Sequence, residues 1–284
     1  MRCPVCGAID EKKRFKKVYE MKIFLSALDS SAVEEQLLKP LLIKNEPNIV
    51  KSILNNNFSK YNLMSYYYLD KKKDLKYAEA VKEHSELVLI DSGAHSFQFG
   101  KKVNFDEFVY KYANFIKKFD DKKVLGYFEL DIENVVGMEK VLEYRNILES
   151  VTDKIIPVWH KNRGIDNYFE MLEQYKGKVV ALGGFKNTDI RDDQYLMFMK
   201  EARKYNCKVH CVGMTRHKVL DKVPFDFTDS ASWLNKAIYG DIAGGKVSIN
   251  YSKTHREESF AFALKEAIEM QEHYYKKWRN MCND

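Results

Sequence analysis

Proline and glycine are scarce, with 5 and 13 copies in 284 residues. That is too little for a linker-rich or collagen-like chain. Cysteine is also sparse and its count of five is odd. A complete disulfide framework is therefore excluded, and a reducing compartment is favoured. No apolar run approaches the roughly 20 residues of a membrane span. The first 17 residues, MRCPVCGAIDEKKRFKK, lack the apolar core of a secretion signal. These absences lead to the expectation of a soluble, cytoplasmic protein with no membrane partner. Hydrophobic residues at 45% and charged residues at 31% argue against disorder. The 47 basic and 41 acidic side chains leave a net charge of +6, which is compatible with a nucleic-acid partner.

Short apolar runs rich in β-branched and aromatic residues recur along the chain. They fall at 23–27, 63–69, 87–91, 124–131, 155–160, 179–185, 209–214, 225–229 and 247–250. Most are nearly continuous, as strands covered on both faces should be. Amphipathic stretches at 105–119, 138–151, 167–175 and 192–205 lie between them. Strand alternating with helix predicts an α/β fold with a parallel sheet. The first eight runs fill the places of a (β/α)8 TIM barrel, a single domain over 21–284. An open doubly wound sheet is the alternative. The ninth run, in GGKVSINYS, reads as an accessory strand or hairpin, and 257–279 as a long C-terminal helix. Residues 1–20 read as a polar N-terminal extension.

Barrel chemistry sits at the C-terminal ends of the strands. The third run ends in Asp91-Ser92-Gly93 and the fourth in Glu129-Leu130-Asp131. The fifth ends in Trp159-His160, the sixth in Gly183-Gly184-Phe185, the seventh in Gly213-Met214 and the eighth in Asp229-Ser230. Three ends carry carboxylates, and two carry glycines that let a ligand approach the backbone. Carboxylates on one rim suit acid/base or covalent chemistry without a redox cofactor. Glycosyl transfer is one natural use: one carboxylate attacks the anomeric carbon and another protonates the leaving group. The competing role for any single Asp is to cap the helix that follows.

The segments LIDSGA (89–94), YFELD (127–131), ALGGF (181–185), VGM (212–214) and FTDSASW (227–233) occur in that order. The set resembles the tRNA-guanine transglycosylase superfamily. It is most similar to the short phage-type DNA-guanine transglycosylases, which exchange guanine in DNA for a 7-deazaguanine such as preQ0. The resemblance implies a barrel and a covalent sugar–enzyme intermediate. By position, Asp229 would be the nucleophile on C1′, and Asp91 the general acid/base for the departing and incoming bases. Asp131 would accept hydrogen bonds from the base. Ser92, His160, Gly183, Gly184, Phe185, Gly213 and Met214 would complete the base pocket. Aromatic walls would come from among Tyr66, Tyr67, Tyr68, Phe97, Phe185 and Trp233. His210 and His217 flank the seventh strand end and could touch substrate. The partners implied are DNA and the incoming base, in a host cytoplasm if the chain is phage-encoded.

The tRNA enzymes carry a zinc cluster after the last barrel strand. Here residues 240–284 hold one cysteine, Cys282, so the zinc-binding subdomain is lacking and the DNA branch is favoured. Alternatives are a related enzyme acting on RNA, or a non-catalytic nucleic-acid-binding subunit. Cys3 and Cys6 form half of a zinc knuckle without a second pair, so no metal or other cofactor is expected. Lys101, Lys102, Lys161, Arg163, Arg216 and Lys218 follow strand ends and are the candidate phosphate contacts.

Overall fold

The computed structural model describes residues 19–29, 33, 59–94, 103–183, 190–239, 241–242, 245–246 and 253–281. The parallel strands are β1 (Lys22–Leu25), β2 (Tyr61–Ser65), β3 (Leu87–Asp91), β4 (Val124–Phe128), β5 (Ile155–Ile156), β6 (Val158–His160), β7 (Val179–Gly183), β8 (Lys208–Cys211) and β9 (Phe227–Ser230). Helices α1 (Tyr66–Leu69) and α2 (Lys76–His84) connect β2 to β3, and α3 (Phe105–Phe119) precedes β4. Next come α4 (Glu133–Val136), α5 (Met138–Glu149), α6 (Ile165–Gln174), α7 (Tyr195–Lys204), α8 (His217–Leu220) and α9 (Ser232–Tyr239). A two-residue hairpin, β10 (Asp241–Ile242) and β11 (Gly245–Lys246), precedes the long α10 (Lys253–Met281).

Helix α3 shows how the sequence writes these elements. Phe108, Val109, Tyr112, Phe115, Ile116 and Phe119 recur at helical spacing, and all are buried. Asn104 caps the start by accepting the Glu107 amide at 3.3 Å. Acids fill the first turn and lysines the last, in accord with the helix dipole.

The sheet order is β5-β4-β3-β2-β1-β9-β8-β7-β6. Its two outer members are consecutive in sequence, separated only by Pro157. Proline has no amide hydrogen to give a ladder, so one strand is recorded as two pieces. The carbonyls on either side remain paired: Ile156 O accepts from Glu129 and Pro157 O from Ala181. The ladder therefore returns to its own start, and the fold is a (β/α)8-type barrel rather than an open sheet.

Four expected strands stop short of their runs, the first of them, 23–27, at Leu25. The run 63–69 leaves the sheet after Ser65 because the Tyr66 ring stacks on Tyr112, 4.7 Å between centroids, and packs against Phe108 and Phe115. The run 124–131 stops at Phe128, and the buried Glu129 turns to an arginine. The run 209–214 ends at Cys211. The run 247–250 and the extension 1–18 lie outside the described residues.

The chain divides into two compact units. The first comprises 1–24, 157–230 and 269–284; the second comprises 25–156 and 231–268. In the first, Trp159, Tyr168 and Phe198 form an aromatic cluster, and Trp278 donates to the Leu220 carbonyl at 3.0 Å. In the second, Tyr66, Tyr112, Phe115 and Phe119 stack, and Trp233 donates to the Ser26 carbonyl at 2.9 Å. Burial of each such ring is worth roughly 1.5–3 kcal/mol. Among the described residues no helix is long and apolar enough to cross a membrane.

Candidate active site

Within the first unit, strand register aligns four strand ends. His160 pairs with Gly183, Leu182 with Cys211, and Cys211 with Thr228. One step on, Gly183, Val212 and Asp229 fall in a row at the C-terminal edge. Asp229 is almost fully buried, and its Oδ1 is met by an imidazole and a backbone amide. The His210 Nε2 lies at 2.8 Å and the Gly213 amide at 3.0 Å. His210 is fully buried, and its ring is tilted against Phe24, 6.2 Å between centroids.

Local sequence explains this arrangement. Strand alternation sends His210 to one face of β8 and Cys211 to the other, where Cys211 joins the apolar core. Burial there pushes the Cys211 thiol well above its usual range. Gly213 takes φ +66, a backbone conformation that a side chain would strain, and its amide meets the carboxylate. Thr228 fixes the same turn from β9 by donating to the carbonyls of Cys211 and Met214. Asp229 is thus held by the turn after β8.

Gly183 and His160 also come together. A Cβ on Gly183 would lie 2.6 Å from His160 Cε1 and 2.9 Å from Val158 Cγ1. The imidazole therefore lies over a bare backbone, and glycine is needed for that approach. Met214 supplies a carbonyl to Thr228, while its side chain is buried in the core.

Within the second unit, Asp91 ends β3, and its Oδ2 accepts the Gly93 amide at 2.9 Å. Ser92 is fully buried and accepts from the Ala94 amide at 3.4 Å. Gly93 sits at φ +90 with Tyr67 Cβ only 2.2 Å from where its own Cβ would be. The DSG motif is thus a close-packed turn that fixes the carboxylate. Asp131 follows β4 and is partly exposed. Its neighbour Glu129 is fully buried and ion-paired to Arg145 Nε at 2.5 Å. Tyr66, Tyr67 and Trp233 are buried in the core, and Tyr68 is exposed.

The candidate phosphate contacts are largely engaged with the protein. Arg163 donates to the Val158 carbonyl at 2.6 Å, and Lys161 reaches Gln194 at 3.4 Å. Arg216 and Lys218 pair with Asp192 at 2.9 and 3.5 Å. Asp192 and Asp193 line a surface pocket of about 540 Å³ with Lys218 and Lys222. His217 is bonded to the Tyr274 hydroxyl at 2.7 Å, which fastens α10 rather than a substrate. Lys101, Lys102, Gly184, Phe185, Phe97, Cys3 and Cys6 lie outside the described residues. Among the described residues no group of three His, Cys, Asp or Glu is placed to hold a metal ion.

Two features escaped the sequence reading. The Glu129–Arg145 pair spans 16 positions with no local signal. Asp29 follows the first strand, where the apolar run 23–27 is the only hint.

No protein-family model matches the chain, and no curated protein matches its sequence. Among solved structures it is similar to two mutant forms of the tryptophan synthase alpha-subunit from the hyperthermophile Pyrococcus furiosus. One is 15% identical and the other 16%, each with a TM-score of 0.50 over 90% of this chain and 99% of the neighbour. At that identity the likeness is one of fold, and it agrees with the barrel.

Proposed function

We propose that the chain is an enzyme of base exchange, a DNA-guanine transglycosylase that replaces guanine with a 7-deazaguanine. The observation that carries the proposal is Asp229, a buried strand-end carboxylate held by one imidazole and one backbone amide. Contacts to an imidazole and an amide on one oxygen aim a carboxylate, as a nucleophile requires. In this mechanism Asp229 bonds to C1′ as the bond from C1′ to guanine N9 breaks. The electron pair leaves with the base, which takes a proton from Asp91. The incoming 7-deazaguanine gives its proton to the Asp91 carboxylate and attacks C1′. The ester breaks, and Asp229 returns to its ionised state. Gly183 and His160 would line the base site, where bare backbone admits a planar ring.

Incubation with guanine-containing duplex DNA and a panel of 7-deazaguanines, followed by nucleoside mass spectrometry, tests the proposal. The expected result is exchange with at least one base, and a covalent DNA adduct that disappears in Asp229→Ala. Loss of exchange should be roughly 10⁴-fold or more. A folded protein that exchanges no base in DNA would refute it. A parallel tRNA arm separates the DNA enzyme from an RNA-acting relative.

A further inference from the structure

Three cations of the first unit gather around one carboxylate. Asp192 Oδ1 lies 2.9 Å from Arg216 Nη1, and its Oδ2 lies 3.5 Å from Lys218 Nζ. Lys222 lines the pocket of about 540 Å³ together with Lys218, Asp192 and Asp193. It is exposed and forms no ion pair among the described residues. Asp193 is already matched, because Arg191 donates to both of its oxygens, at 3.1 and 3.2 Å. Among the described residues of the pocket, Asp192 alone therefore stands against Arg216, Lys218 and Lys222.

Arg216 belongs to the turn that holds the candidate nucleophile. That turn gives the Gly213 amide to Asp229 Oδ1, and its Thr215 Oγ1 lies 3.5 Å from Oγ of Ser230, the residue after Asp229. Arg216 and Asp229 both act on the buried Cys211 thiol, the acid pushing it up and the arginine pulling it down. Asp192 follows β7 and Arg216 follows β8, so the cluster lies on the side of the barrel where chemistry occurs.

We propose that this pocket is a phosphate-binding site for the nucleic-acid backbone. Arg216, Lys218 and Lys222 take the free oxygens of a phosphodiester beside the reacting nucleotide, and Asp192 is the internal counter-ion that the phosphate displaces. This inference deepens the DNA reading given above and rests on it. The two oxygens of Asp192 are held by different cations, and the two free oxygens of a phosphodiester offer the same pair of acceptors. Arginine meets them as a planar fork and the lysines as point charges. The pairs with Asp192 are solvent-exposed and so weak, and exchanging one anion for another costs little. Until then Asp192 keeps Arg216 aimed, which lowers the cost of ordering it on binding.

The test is fluorescence anisotropy of a labelled guanine-containing duplex with the full-length protein, across a salt series. It requires no base exchange. Lys218→Ala and Lys222→Ala remove exposed charges and should leave the fold intact. Each should weaken binding and lower the slope of log affinity against log salt by about 1. Lys176→Ala is the control: Lys176 is exposed and precedes β7, at the opposite end of that strand, and its loss should leave the slope in place. Asp192→Asn should act in the other direction and tighten binding roughly two- to fivefold at low salt, because the cations lose their internal competitor. Weaker or unchanged binding in Asp192→Asn would give Asp192 a structural role alone and overturn its part in the proposal. Equal slope changes in all three lysine variants, or none in any, would overturn the site. Calorimetry with inorganic phosphate is the second arm, and no saturable submillimolar binding is expected. Such binding, lost in Lys222→Ala, would assign the pocket to a free phosphate and overturn the backbone assignment. Altered slopes in a protein that exchanges no base would retain the site and remove the transglycosylase reading. Exchange with unaltered slopes would do the reverse.

Discussion

Glu129 and Asp229 are both buried carboxylates that follow or end strands of one barrel, yet their partners are opposite in kind. Glu129, in the second unit, faces the permanent charge of Arg145 at 2.5 Å. Asp229, in the first, faces His210 and a backbone amide. An arginine never gives up its proton in a protein, so the first pair is a fixed lock. An imidazole and an amide orient a carboxylate as a reacting group requires, so the second is suited to chemistry. Asp29 is a third case, with two amides and no ion-pair partner among the described residues. The nature of the partner, rather than burial, separates the structural acid from the candidate catalytic one.

The most direct way to break this comparison is to remove Arg145. Arg145→Ala leaves Glu129 charged and enclosed, and should destabilise the fold by about 3–5 kcal/mol. Urea unfolding read by circular dichroism measures it. Replacing both partners with apolar residues of similar volume should recover most of the loss, because no unpaired charge is left behind. A single variant within about 0.5 kcal/mol of the parent would mean that the pair is not a lock.

Asp29 gives the next largest effect, and its sign is fixed by linkage. Its folded value of about 6 lies above the ordinary 3.8. Between those two values the unfolded chain has lost the proton while the folded chain still holds it. The unfolded state then binds fewer protons, so stability falls as pH rises through that window and levels off above it. Asn carries no such penalty. The stability of the parent relative to Asp29→Asn should therefore drop by up to about 3 kcal/mol between pH 4 and pH 7. Equal pH dependence in the two proteins would mean that Asp29 is ionised normally.

Much of this barrel is legible in sequence because its determinants are local. Helix α3 is bounded to the residue by its periodicity and its Asn104 cap. The strands announce themselves as apolar runs, because both of their faces are covered. Pro157 shows the limit of that reading: it lies inside an apolar run that is one strand in space but two in hydrogen bonding. The run 63–69 fails for a different reason. Tyr66, Tyr67 and Leu69 are apolar enough for a strand, but Tyr66 is captured by rings 42 to 49 positions later. Among the site residues, Asp91 and Asp229 stand at strand ends as expected. The identity of Asp229's partners was not legible, since His210 and Gly213 reach it only through strand register. Glu129 and Asp131 show the same limit. Two positions apart, they read alike in sequence, and only the fold shows that Glu129 is buried against Arg145 while Asp131 is partly exposed.

The smallest expected effect sharpens the comparison most, because it asks whether His210 serves the carboxylate or merely fills the core. His210→Ala removes the imidazole from Oδ1 and leaves the Gly213 amide. If Asp229 is the nucleophile, its aim loosens in the transition state more than in the ground state. The rate constant for exchange should fall roughly 10²-fold with little change in KM. His210→Gln, which can place an N–H donor toward the same oxygen, should recover part of the rate. A filler role predicts another pattern: both variants would lose stability in proportion to lost volume, while the rate per folded molecule stayed put. Glu129→Gln is the matching control. It should weaken the fold without changing the pH profile of exchange. If Glu129→Gln stops exchange in a folded protein while His210→Ala does not, the assignments of lock and working carboxylate must be reversed.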